Sequence, residues 1–204
     1  MKTLTNYINE ALIKKDTKIS TYNYYPKDKD ELKSLIEQLL EDRGKDANLN
    51  DIDTTEITDM TEIFDKLYPH NIDISEWNIN NVKYMDEMFY NCKKFNSDLS
   101  NWNVSNVENM RNMFGGCQNF NSDLSKWDVS NVETMSNMFN DCKSFNSDLS
   151  KWHVSNVKNM YSMFLGCKKF NSDLSKWDVS KVKDMEYMFL DCDSLKNKPA
   201  WYKE

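Results

Sequence analysis

The sequence predicts an α/β fold: a leucine-rich-repeat-like solenoid with one short parallel strand and one short helix in each 25-residue repeat, closed by a helical cap at the N-terminus. Three observations predict it. Trp77, Trp102, Trp127, Trp152 and Trp177 recur every 25 residues, and Cys92, Cys117, Cys142, Cys167 and Cys192 form a second ladder of the same period. Within each repeat a two-residue apolar spacing is followed by one of three and four. With only 4 Gly and 3 Pro in the chain, the recurrent Asn-Ser-Asp triplets must make most of the bends.

Residues 1–48 stand outside the period and read as an N-terminal helical cap. Leu4, Tyr7, Ile8, Ala11 and Leu12 place a short helix over Thr3 to Lys14, and Tyr22-Tyr24-Tyr25-Pro26 reads as extended. From Asp30 to Arg43, Leu32, Leu35, Ile36, Leu39 and Leu40 share one helical face, and Gly44 supplies the stop.

The repeat array spans 49–195, with a degenerate first repeat at 49–73 and regular repeats over 74–195. In the first repeat, Ile52, Ile57, Met60, Ile63 and Phe64 hold the places of Trp77, Val82, Met85, Met88 and Phe89. In a regular repeat, Leu124, Trp127 and Val129 follow the L-x-x-L-x-L spacing of a buried strand. Val132, Met135, Met138, Phe139 and Cys142 then recur at three and four residues, the period of a two- to three-turn return helix. Phe145 closes the core and Asn146-Ser147-Asp148 turns the chain onward. Residues 196–204 form a C-terminal cap, where Pro199 falls in the Leu174 position and Tyr202 in the Trp177 position.

The formal charge of -7 lacks the electrostatic footprint of a nucleic-acid binder, so none is expected as a partner. Met1 to Lys15 has no unbroken apolar run, which predicts a cytoplasmic product that inserts into no membrane. Cysteines 25 residues apart lack zinc-ligand spacing, and Leu67 fills the same position in the first repeat, so buried structural thiols are expected. The Asn-x-Asp pairs, Asn96/Asp98 through Asn171/Asp173, place oxygens that could hold a hard cation, but turn capping explains them without one. His70 and His153 lie in different repeat positions, with no nucleophile, base or paired carboxylate recurring beside either. The expectation is therefore no enzyme, no cofactor and no metal.

On the predicted strand, the neighbours of the buried Trp and Val face outward on a concave surface. Before each Trp stand Glu76, Asn101, Lys126, Lys151 and Lys176, and after it Asn78, Asn103, Asp128, His153 and Asp178. A further outward position reads Asn80, Ser105, Ser130, Ser155 and Ser180. The first two rows are the candidate partner-binding face, a polar strip suited to a protein or a glycan.

The phrase Trp127-Asp128-Val129-Ser130-Asn131-Val132, followed by Met135-x-x-Met138-Phe139-x-x-Cys142-x-x-Phe145-Asn-Ser-Asp148-Leu149-Ser150, resembles the BspA-like leucine-rich-repeat family of bacterial surface proteins. The resemblance covers roughly residues 49 to 195 and implies adhesion and protein contact without enzymatic activity. The opening Met1-Lys-Thr-Leu-Thr-Asn-Tyr-Ile-Asn-Glu and Tyr25-Pro-Lys-Asp-Lys-Asp-Glu-Leu look like short phage- or prophage-encoded members, which implies the virion or the host-cell cytoplasm as a location. The expected function is non-catalytic binding of a macromolecule through the concave strand face. The alternative is a structural or assembly component, virion-associated for example, that makes contacts through its caps or edges.

Overall fold

A computed structural model describes residues 22–203. The expected helix over Thr3 to Lys14 lies outside the described residues. The helix expected at Asp30 to Arg43 is present as α1, Lys29–Arg43. The Asp28 carboxylate accepts from the Glu31 amide at its N-cap, the Glu31 carboxylate accepts from the Lys27 amide, and Gly44, at φ 85°, donates to the Leu40 carbonyl. Its buried face, Leu32, Ile36, Leu39 and Leu40, packs on the first coil, where Ile52, Met60, Ile63 and Phe64 are fully buried.

The remaining chain stacks in 25-residue coils, but these coils are not α/β. Among the described residues α1 is the sole helix, and coil-to-coil pairing of β type is confined to single-residue parallel bridges. One such ladder runs Asp59, Tyr84, Asn109, Thr134, Asn159, Asp184, just ahead of the methionines and not at the Trp and Val positions expected to be strand. Tyr24 pairs with Ile52 and Asn48 with Asp73 at the N-terminal end. The leucine-rich-repeat-like α/β class is thus corrected in both elements.

The physical reason lies in where the amides point. In the coil 124–148, the stretch expected to be a helix is a chain of overlapping three-residue turns, with amides of Met138, Asn140, Cys142 and Phe145 donating to carbonyls of Met135, Asn137, Phe139 and Cys142. Asn137 (φ 56°) and Asp141 (φ 58°) adopt left-handed backbone, which a right-handed helix excludes. The alternate amides of Met135, Asn137, Phe139 and Asp141 leave the coil and donate to Asn159, Tyr161, Met163 and Leu165 of the next, at 2.7–2.9 Å. A turn chain brings apolar side chains inward at three- and four-residue steps, so it imitates the helical period. The supposed strand is likewise a link between two turns, Leu124 to Trp127 and Val129 to Val132.

Stacking buries what one coil cannot. Phe139 lies 4.1 Å from Phe145 in its own coil, 5.7 Å from Phe114 and 5.6 Å from Phe164, all nearly parallel. Each Trp indole donates to the leucine-position carbonyl of the preceding coil, as Trp127 does to Leu99 at 3.0 Å. At the C-terminal end the ladder is continued by Trp201, which stacks on Trp177 at 6.4 Å and donates to the Leu174 carbonyl. Tyr202, expected in that place, turns edge-on to Phe189 at 5.0 Å.

Candidate functional site

Of the ten strip residues, the five before the tryptophans lie in turns and the five after them in the link to the next turn, so the concave strand face expected of them is replaced by a ridge of bends. Nine of them are exposed and Asn78 is half-buried, but their side chains divide by row. Asn78, Asn103, Asp128 and Asp178 are engaged in the bends themselves: their side-chain oxygens accept from the amides of Asn80, Ser105, Ser130 and Ser180. Hydrogen bonds from Ser130 and Ser180 hold the Asp128 and Asp178 carboxyls below the usual carboxylate range. These residues shape the ridge.

The row before the tryptophans is different. Lys126, Lys151 and Lys176 are exposed and none stands in an ion pair among the described residues, whereas Lys83 pairs with Glu108, Lys158 with Glu133 and Lys29 with Asp59 at 2.7–2.9 Å. The three lysines follow one another on adjacent coils, which parallel pairing spaces at about 4.8 Å. Glu76 and Asn101 continue the row toward the N-terminal end with no positive charge.

His153 is the single break in the Asn/Asp row, and a groove of about 860 Å³ opens beside it. It is lined by the Asn146-Ser147-Asp148 and Asn171-Ser172-Asp173 bends together with Ser150, Lys151, Trp152, His153 and Lys176. The structure therefore brings Lys151, His153 and Lys176 together and leaves Glu76, Asn78, Asn101 and Asn103 in the coils nearer the N-terminus. Sequence reasoning weighed the Asn-Ser-Asp bends as turn caps or as a cation ladder and missed their place in the groove lining. The histidine interrupting a row of Asn and Asp was the available signal.

Within the bends the polar atoms satisfy one another. Asp148 accepts from the Ser150 amide at 2.9 Å and from the Ser172 hydroxyl at 3.2 Å, and Asn146 accepts from the Asn171 amide at 2.9 Å. The Ser150 amide hydrogen is the main cause holding Asp148 below its ordinary range. Oxygens committed to these donors hold turns, and among the described residues no group of three or more His, Cys, Asp or Glu is arranged to hold a metal ion.

The cysteines form a buried ladder of thiols. Cys117, Cys142, Cys167 and Cys192 donate to the carbonyls of Phe89, Phe114, Phe139 and Phe164 at 2.9–3.0 Å. Burial pushes the Cys92 and Cys192 thiols up to about 12 and raises the other three well above the ordinary value. Native protein at about pH 8 is therefore expected to react with iodoacetamide roughly 100-fold or more slowly than urea-unfolded protein. Intact-mass spectrometry over time reads this directly, and rapid native labelling would show the ladder to be open.

No helix among the described residues is long and apolar enough to cross a membrane. Comparison with curated proteins and with solved structures gave no match. A family profile described as "Mycoplasma protein of unknown function, DUF285" matches residues 32–146 and, laid on the repeats a second time, residues 99–202. Together the two matches run from the first buried leucine of α1 to the tyrosine that packs on Phe189, and the chain belongs to that family.

Proposed function

We propose that the chain is a non-catalytic, macromolecule-binding repeat protein that engages a partner protein along the lysine row and its groove. The observation that carries this reading is the contrast between lysines on one molecule: Lys83 and Lys158 are paired with Glu108 and Glu133, and Lys126, Lys151 and Lys176, on three successive coils, are exposed without ion pairs among the described residues. Like charges repeated on adjacent coils steer the approach of a partner of opposite charge, and the ordered backbone beneath them fixes their spacing. The partner fitted to them presents carboxylates at steps near 4.8 Å and places one side chain in the groove over Trp152. Adhesion-type contact, the role implied by the resemblance to BspA-like proteins, is consistent with such a surface.

The test is the triple variant Lys126→Glu, Lys151→Glu, Lys176→Glu. Proteins retained by the immobilised parent at low salt are expected to be lost by at least about tenfold in affinity, roughly 1.4 kcal/mol. The thermal midpoint should change little, because the three side chains are exposed and their attraction to Asp123, Asp148 and Asp173 is screened by solvent. Equal retention by parent and variant refutes the site. A second reading, a structural or assembly component acting through its ends, is favoured by the open face of the last coil.

A further inference from the structure

The two ends of the stack are finished differently. At the N-terminal end α1 covers the first coil. In every internal coil, four alternate amides donate to the following coil, as Met160, Ser162, Phe164 and Gly166 do to Asp184, Glu186, Met188 and Leu190. The next set, the amides of Met185, Tyr187, Phe189 and Asp191, has no partner among the described residues, because residues 196–203 turn aside toward Trp177 and Phe189. Side chains repeat the pattern. Val157 and Met160 are fully buried, while Val182 and Met185 in the last coil are partly exposed, and Tyr187 and Leu190 are 51% and 49% exposed.

This face is apolar and rich in donors, so its complement must offer acceptors. A second copy meeting it with the same end would set donors against donors. The opposite end offers the right chemistry. Residues 22–59 carry eleven Asp and Glu against five Lys and Arg, whereas residues 174–203 carry five against six. On α1, Asp30, Glu37 and Glu41 are exposed at seven- and four-residue steps, which places their carboxylates along one stripe of the helix. Among the described residues none of the three is in an ion pair, and Lys183 and Lys196 on the last coil are exposed and equally without one.

We propose that the chain associates head to tail with a second copy of itself: the open last coil of one protomer receives the acidic outer stripe of α1 of the next. Carboxylates accept hydrogen bonds from the unpaired amides, and Lys183 and Lys196 meet the remaining negative charge. The contact is heterologous, so it propagates into rows of protomers and does not stop at a closed dimer. It leaves the lysine row exposed along the side of every protomer, where a repeated surface multiplies weak contacts.

Sedimentation velocity of the whole chain tests it, since no outside partner is needed. In about 50 mM salt the weight-average sedimentation coefficient is expected to rise with concentration, and in about 0.5 M salt to fall toward the monomer value as screening takes hold. The variants Glu37→Lys/Glu41→Lys and Lys183→Glu/Lys196→Glu should each sediment as monomers at low salt with unchanged thermal midpoints. Mixed in equal amounts, the two should associate again, because the unaltered last coil of the α1 variant still receives the unaltered α1 of the other. A parent that stays monomeric at low salt, association that persists in either variant, or a mixture that remains monomeric overturns the proposal. The lysine row is untouched in both variants, so these outcomes do not bear on the partner-binding reading.

Discussion

Phe139→Ala is expected to lower the unfolding free energy by about 3–5 kcal/mol. The ring is fully buried, and it touches Phe145 in its own coil, Phe114 before it, Phe164 after it and Trp152 at 6.4 Å. Removing it opens a cavity that no neighbour can fill, since each flanking ring is held by its own stack. In a quasi-one-dimensional array the loss also weakens the coupling between coils on either side. Urea denaturation followed by circular dichroism checks both effects: a lower midpoint, and a shallower slope if the halves separate. Leu190→Ala, at a side chain 49% exposed, serves as the contrast and should shift stability by no more than about 0.5 kcal/mol.

The second expected result has a sign that distinguishes the turn chain from a helix. Gly116 (φ 79°) and Gly166 (φ 72°) sit in left-handed backbone. A Cβ at Gly116 would lie 2.5 Å from Asn91 Oδ1 and 3.2 Å from the Asn91 Cα, and one at Gly166 would lie 2.7 Å from Asp141 Oδ1. Gly116→Ala and Gly166→Ala should each destabilise by about 1–2 kcal/mol, from backbone strain before any contact is counted. Were these residues helical, alanine would stabilise by up to about 1 kcal/mol. Thermal unfolding of the two variants reads the sign, and a raised midpoint would contradict the turn geometry.

The same glycines show what was legible in advance. The position they share reads Asn91, Gly116, Asp141, Gly166, Asp191, the residue types that tolerate left-handed backbone, and it could have vetoed the helix. The apolar ladders outweighed it because Val132, Met135, Met138, Phe139 and Cys142 recur at helical steps, and a chain of turns yields the same steps. The period itself, the buried thiols and α1 with its Gly44 stop could be read directly, since each depends on local composition or on simple recurrence. At the candidate site, exposure of Lys126, Lys151 and Lys176 was legible, but the division of labour was not. That Asp128 and Asp178 are engaged in bends while the lysines are unpaired depends on which atoms meet across a turn, and the groove at His153 depends on two coils lying side by side.

The bonds between coils recur at fixed offsets along the chain. A Trp indole and a Cys thiol reach back to the coil before, and alternate amides reach forward to the coil after, always at the same offsets. Excising or duplicating a fragment of a coil would leave every such bond beyond the scar aimed at the wrong atom. Excising or duplicating a whole coil would leave them all matched. Members of this architecture can therefore change length only in quanta of one full coil, and the lysine row can gain or lose rungs by the same events that lengthen the protein.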